Sequence, residues 1–524
     1  MIDDVADARQ HHLGSVLRRS AARRPDHVAL VWGEQRDTFA ELDGAVNATA
    51  NALAGRGVGQ GDRVAILSHN CRAFIVVYLA LARLGALSVP INFMLNAAEV
   101  AFILDHAEVI GMVVEDDLVR VAEAALASTS TAADRVRGVI MGAATGAAPP
   151  GWEPVGAWEA HPDRREPVVR MGDDDPVQLL YTSGTESRPK GVMLSSRALL
   201  AQFVSCIVDG RMSADDIEIH ALPFYHCAQL HCFFGADLYL GATSVILPRP
   251  DPASILAAVE RERATKLFCP PTVWISLLRS PELETRDLSS LRKGYYGASA
   301  MPVAVLEELR ARLPDVDLWN LYGQTEMAPL ATILQPHEQL THAGSAGRAA
   351  LNVETRVVDD HDEPVPAGTV GEIVHRSPHA MLGYWRDEVK TAEAFRHGWF
   401  HSGDLGVMDD EGYLAVVDRK KDMINTGGEN VASREIEEVL FAHAGVSEVA
   451  VFGIPHPRWI EAVAAAVVVK DGGADEAGLI EFARCRLAGF KVPKYVVVVK
   501  ELPKNPSGKI VKRELRDRYA HLAV

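Results

Sequence analysis

The sequence predicts an α/β protein: a large N-terminal unit of several α/β layers, residues 1–418, and a small C-terminal α+β unit, residues 419–524. Three observations carry this. A chain of 524 residues has room for two to four folded units at roughly 150 residues each. Short β-rich runs alternate with helix-like stretches along most of its length, the pattern of layered α/β architecture. Finally, the charge cluster Asp418-Arg419-Lys420-Lys421-Asp422 closes one β-like run and opens a segment of about 100 residues, enough for a small domain.

In the large unit, residues 63–67, 111–114 and 244–247 are apolar, β-branched runs that read as strands, and 254–262 has helical spacing. The Ala/Gly/Pro-rich patch 138–150 reads as a surface connection. In the small unit the order is helix 433–443, strand 446–452, strand 462–469, helix 476–487 and strand 495–499.

Composition excludes several classes. Apolar residues are 48% and charged residues 23%, ordinary for a globular protein. With 53 Lys plus Arg against 70 Asp plus Glu, the net charge is −17, which argues against a nucleic-acid binder resting on phosphate neutralisation. The apolar stretch 74–95 is interrupted by Arg83, Gly85, Pro90 and Asn92, too often for a membrane span. The start, Met1-Ile2-Asp3-Asp4, is acidic where a secretory signal is basic, so a cytoplasmic location is expected. The six cysteines include no C-x-x-C pair, which suits reduced thiols.

Four segments carry chemistry. Thr182-Ser183-Gly184-Thr185-Glu186-Ser187-Arg188-Pro189-Lys190 is rich in hydroxyls and small residues that let backbone amides approach phosphate, and Lys190 adds charge. It is not a Walker loop, and a plain surface loop is the alternative. Trp319-Asn320-Leu321-Tyr322-Gly323-Gln324-Thr325-Glu326 could stack a base, contact a phosphate and hold Mg²⁺, or simply end a strand. Asp404, after Ser402-Gly403, could accept both hydroxyls of a ribose or merely form a turn. Lys509, on Pro503-Lys504-Asn505-Pro506-Ser507-Gly508, could neutralise a developing anion or be a solvated loop lysine.

Together and in this order, the segments resemble the adenylate-forming superfamily of acyl-CoA synthetases, peptide-synthetase adenylation domains and luciferases, most of all the acyl-CoA synthetases. The resemblance covers nearly the whole chain and implies a soluble ligase with a mobile C-terminal domain, using ATP, Mg²⁺ and coenzyme A. By similarity, Thr182, Ser183, Gly184, Thr185 and Lys190 cradle the β- and γ-phosphates, while Thr325 contacts the α-phosphate and Glu326 helps hold Mg²⁺. Asn320 and Tyr322 belong to the nucleotide site, with Tyr322 stacked on adenine. Asp404 and Arg419 bind the ribose, Lys509 bridges carboxylate and α-phosphate, and Lys421 aligns with the hinge. Rotation about it would bring Gly427 and Gly428, which leave room for pantetheine, to the active site.

One departure stands out: Glu186 and Ser187 replace a hydroxyl and a flexible glycine of the family loop. A unit-charge pair about 6 Å apart at an effective dielectric of about 20 repels by about 3 kcal/mol, roughly a hundredfold in affinity. One reading is crippled adenylation with thioester formation from preformed acyl-AMP retained. If Glu186 faces solvent, pairs with Arg188 or sits near Mg²⁺, the enzyme is an ordinary two-step ligase.

The acyl pocket is expected to include His226, Gln229, Tyr296, Gly297, Ala298 and Ser299. Where amino-acid-activating relatives carry an aspartate, this chain has Cys227-Ala228-Gln229-Leu230, which favours a hydrophobic acid, fatty, aromatic or polycyclic. His220, His226, Cys227, His231 and Cys232 are dense enough to suggest zinc, but their spacing fits no standard ligand pattern. The competing functions are an enzyme that loads a carrier protein and a non-catalytic acyl-adenylate binder. Sequence leaves the oligomeric state open.

Overall fold

The computed structural model describes every residue except 1–4, 6, 7, 132, 143–146, 183–188, 300, 421, 427, 428, 471, 472, 505–509 and 524. Two large sheets form the body. In the eight-stranded one, Arg63–Leu67 lies between Leu87–Ile91 and Gly111–Glu115, parallel to both. Val64, Ala65 and Ile66 are all fully buried, the signature of a parallel strand covered on both faces. At one side of this sheet Pro176–Thr182 turns back antiparallel into Lys190–Ser195, so Thr182 and Lys190 sit opposite each other.

The nine-stranded sheet is parallel from Thr243–Ile246 through Ile217–His220, Lys266–Phe268 and Lys293–Gly297 to Asp317–Gly323. Its helix Pro252–Glu262 starts two residues before the expected 254 because Asp251 Oδ2 accepts from Ser254 N at 2.8 Å and Pro252 occupies the first turn. A third, antiparallel sheet holds Gly371–Arg376, Trp399–Met408 and Leu414–Arg419.

The sheets change over between Arg419 and Ile424. Val446–His456, Ile460–Val469 and Tyr495–Val498 belong to the smaller unit's own sheet. Helices Ser433–Phe441 and Glu476–Arg484 cover one face through Ile436, Leu440, Leu479 and Ala483. The other face is covered by Lys512–Tyr519, a helix the sequence did not reveal because Leu515 is its only buried residue. Among the described residues, no helix is long and apolar enough to cross a membrane.

Candidate active site

A cavity of about 880 Å³ opens past the carboxyl ends of the parallel strands, between the two large sheets, the third sheet and the smaller unit, the usual ligand position in α/β folds. One end is polar. Tyr322, near the end of Asp317–Gly323, donates its hydroxyl to Asp404 Oδ2 at 2.7 Å. Burial first, then the Asp404 charge, pushes the Tyr322 pKa well up, so it remains a donor. Asp404 follows Gly403, whose φ of +70° suits glycine, and lies across the strand pair from Arg419, whose Nε is 3.5 Å from Oδ1.

Thr325 and Glu326 sit on the short helical turn Thr325–Met327 that follows. The approach is tight: a Cβ on Gly323 would lie 1.8 Å from the Pro329 carbonyl oxygen. Glu326 Oε1 accepts from the Tyr384 hydroxyl at 2.9 Å, and the Lys190 ammonium stands 4.9 Å from the centre of the Tyr384 ring. Thr325 Oγ1 is 3.3 Å from Cys227 Sγ. Burial pushes that thiol up to about 12, against the pull of the Thr325 contact, so Cys227 is a neutral wall group rather than a nucleophile.

The other end is apolar. A π-helical stretch, Ala228–Gly235, lines it with Ala228, Cys232 and Phe233. Phe233 stacks on Phe268 at 4.4 Å and 16° and meets Tyr295 edge-on at 5.2 Å. His226, Gly297, Ala298 and Ser299 line the cavity as expected. Gly297 is small for another reason as well, since a Cβ there would meet the Leu321 carbonyl oxygen at 2.3 Å. Two buried polar atoms of the lining, Gln324 Nε2 and Tyr225 Oη, have no hydrogen-bond partner among the described residues. Such atoms call for a ligand or water.

Three expected site residues turn elsewhere. Gln229 is fully buried, with Nε2 2.7 Å from His220 Nδ1. Tyr296 donates its hydroxyl to Gln339 Oε1 at 2.6 Å, and Asn320 Nδ2 donates to the Ser345 carbonyl at 2.9 Å. Each polar group is satisfied inside the protein, and none of the three is on the cavity lining. Ser183, Gly184, Thr185, Glu186, Ser187, Lys421, Gly427, Gly428 and Lys509 lie outside the described residues. Their flanks are informative, for Thr182, Lys190 and Ile510 all line the cavity.

Among the described residues the group of possible metal ligands is Glu218, His220 and Asp237, and a lysine already fills it. Lys266 Nζ is 2.8 Å from Glu218 Oε2 and also paired with Asp237, and all four side chains are fully buried. Burial pushes the Glu218 carboxyl well up. Burial acts the same way on Asp237, but Lys266 and His220 outweigh it and hold that carboxyl low. Lys266 and Asp237 are thus the ion pair of the cage, while burial disfavours charge on Glu218 and on His220.

Residues 17–385 match the AMP-binding enzyme family, and residues 435–509 match the AMP-binding enzyme C-terminal domain. The chain belongs to this family of adenylate-forming enzymes. A feruloyl-CoA synthase of Amycolatopsis is 38% identical over 98% of this chain and 100% of its own. An indoleacetate–CoA ligase of Aromatoleum aromaticum is 35% identical over 97% and 98%. Among solved structures, ATP-bound MatB of Rhodopseudomonas palustris aligns with a TM-score of 0.87 at 32% identity, over 98% of this chain and 100% of that one. Apo MatB, at the same coverage and 31% identity, aligns at 0.75. Within the superfamily the chain is most like the acyl-CoA synthetases.

Sequence reasoning missed Tyr384, which holds Glu326, and the smaller unit's Arg434 and Lys512, which reach the cavity lining. For Tyr384 the available signal was an aromatic pair, Tyr384-Trp385, after a glycine. For the two cations there was none, because each is one charge on a charged helix.

Proposed function

We propose that the protein is an ATP-dependent acid–CoA ligase for a hydrophobic carboxylic acid, working through an acyl-adenylate. The observation that supports this most is one cavity in which an apolar wall and a nucleotide-type wall converge on Thr325 and Glu326. Among the described residues, the lysines and arginines of the lining are engaged elsewhere than the Phe233–Phe268 wall: Lys190 over Tyr384, Lys390 at Asp387, Arg396 at Asp362, Arg419 at Asp404, Arg434 and Lys512 in the smaller unit. A second carboxylate on the acid would meet no lysine or arginine among the described residues of that wall, which favours monocarboxylic acids. The names of the two curated relatives point to aryl acids of this kind.

In the first half-reaction a carboxylate oxygen bonds to the α-phosphorus while the bond to the bridging oxygen breaks, releasing pyrophosphate. Positioning and charge stabilisation dominate such a step. Thr325 donates to the α-phosphate, Lys190 neutralises phosphate oxygens, and Asp404 with Arg419 holds the ribose while Tyr322 stacks on adenine. Glu326 fits Mg²⁺, which binds through one or two carboxylates plus phosphates, and bound Mg²⁺ would supply charge neutralisation. Lys509 bridges the reacting groups. In the second half-reaction the CoA sulfur, losing its proton, bonds to the acyl carbon and AMP departs, with Gly427 and Gly428 beside the pantetheine. The larger unit then corresponds to residues 1–418 and the smaller to 419–524, joined at Lys421.

Ile510 and Lys512 line the cavity, and the overall shape is nearer ATP-bound than apo MatB, so this arrangement suits adenylation. Glu186 and Ser187 bear on that step alone. The test is paired assays on an acid panel, one with acid, ATP, Mg²⁺ and CoA, the other with acyl-AMP and CoA. Thioester from both is expected of a complete ligase, and thioester from acyl-AMP alone marks loss of adenylation. In the second case Glu186→Thr/Ser187→Gly raises pyrophosphate exchange by about a hundredfold. Thioester from neither would refute the reading.

A further inference from the structure

The helix Ser433–Phe441 meets the larger unit at three places. At its first residue, the Ser433 N–H and hydroxyl both donate to Asp418 Oδ2, each at 2.7 Å. Asp418 belongs to Leu414–Arg419, the strand that carries Arg419. At the second residue, Arg434 gives Nη1 to the Val416 carbonyl at 2.6 Å and Nη2 to the Gly344 carbonyl at 3.3 Å. At the last, Phe441 packs against the larger unit's apolar core.

The same serine oxygen accepts from Lys512 Nζ at 2.6 Å, and that ammonium also lies 2.8 Å from Glu437 Oε1. Lys512 begins the final helix, just beyond Lys509 in sequence. One hydroxyl therefore ties the strand of the nucleotide site to the segment that follows the lysine.

We propose that Asp418, Ser433 and Lys512, with Arg434 as a second hold, form a clasp that fixes the arrangement in which Ile510 and Lys512 line the cavity, so that the clasp serves acyl-adenylate formation and not thioester formation. The proposal rests on the ligase reading above. These are positioning residues, which act by placing other groups. Hydrogen bonds weaken steeply with distance and angle, and a guanidinium spanning two carbonyls demands both at once. A shift of the helix against the larger unit by a few ångströms ends its bonds to Asp418, Val416 and Gly344 together, so they belong to one arrangement, while the Lys512 bonds travel with the smaller unit and keep Ser433 and the final helix in step. The two TM-scores with MatB show that a relative of this fold takes up arrangements that differ.

The experiment compares Ser433→Ala, Arg434→Ala and Arg434→Lys with the parent protein in three readouts. The first is acid-dependent pyrophosphate exchange, the second thioester formation from acyl-AMP and CoA. The third is the distance between a spin label on Cys485, exposed in the smaller unit, and one on Val168→Cys, exposed in the larger. We expect the alanine variants to lose about tenfold in the kcat of exchange, with the KM for ATP little changed and thioester formation within about twofold. The label distance broadens. Arg434→Lys, which keeps the charge without the fork, recovers only part. Equal losses in both half-reactions, or unchanged exchange, overturn the clasp. If the parent makes no thioester from any acid or adenylate, the ligase reading fails, and the distance decides: an unaltered distribution in Arg434→Ala overturns the clasp, a broadened one upholds it.

Discussion

Removing the Tyr384 hydroxyl probes how Glu326, the carboxylate proposed to hold Mg²⁺, is aimed. The phenol donates to Glu326 Oε1 at 2.9 Å, and burial, reinforced by the Glu326 charge, pushes its pKa far up, so it donates at any working pH. In Tyr384→Phe the ring stays, together with the Lys190 ammonium above it and the Tyr384 N–H bond to Thr391 Oγ1 at 2.9 Å. What is lost is one hydrogen bond to a charged group, worth about 1.5–3 kcal/mol. Glu326 is half-buried and water can partly replace the donor, so the lower figure applies, about tenfold. Pyrophosphate exchange measured across a Mg²⁺ titration should show a kcat/KM about tenfold lower and a higher Mg²⁺ requirement, with an unchanged melting temperature. An identical Mg²⁺ dependence with the rate within about twofold would refute the assignment of Glu326 to the metal through Tyr384.

Lys266→Met removes the only cation from a fully buried cage and leaves Asp237 charged beside a neutral His220, at a cost of about 3–5 kcal/mol. Denaturant unfolding checks this, and a loss below about 1 kcal/mol would show that the cage is not ionised. The same cage predicts that elemental analysis of the parent finds no stoichiometric zinc. For pH, burial holds His12 down to about 4 and His231 and His375 down to about 3. The unfolded chain takes up these protons below about 6.5 while the fold does not. Stability is thus full above that pH and falls as the pH drops toward 4 and 3. Melting temperatures from pH 7 to 4 should decline, less steeply in His375→Gln, and a flat profile in the parent contradicts the assignment.

The fold was legible wherever a segment is covered on both faces. Residues 63–67 are continuously apolar and pair as a strand with those limits. Strand 244–247 appears one residue earlier, at Thr243–Ile246, because Thr243 is drawn in by its hydroxyl bond to the Val28 carbonyl at 2.7 Å, a contact from another part of the chain. The helix Lys512–Tyr519 was invisible because one buried leucine is too little periodicity. In the site, Thr325, Glu326 and Ser299, just past strand ends, and Asp404, within Trp399–Met408, reach the cavity as expected. Gln229 failed because a buried amide follows its hydrogen bonds, here into the Glu218–His220 cage, and no local pattern in the sequence announces that cage.

The π-helical stretch Ala228–Gly235 makes the acid-facing wall adjustable by length. Its backbone bonds close over five residues instead of four, so it holds a surplus that an ordinary helix would not. Deleting one residue inside it would restore regular winding and turn Cys232 and Phe233 away from their present bearing, leaving the strands on either side in register. If this wall holds the acid, as proposed above, the acid accepted would change with a single-codon loss, a route that leaves every nucleotide-side residue in place.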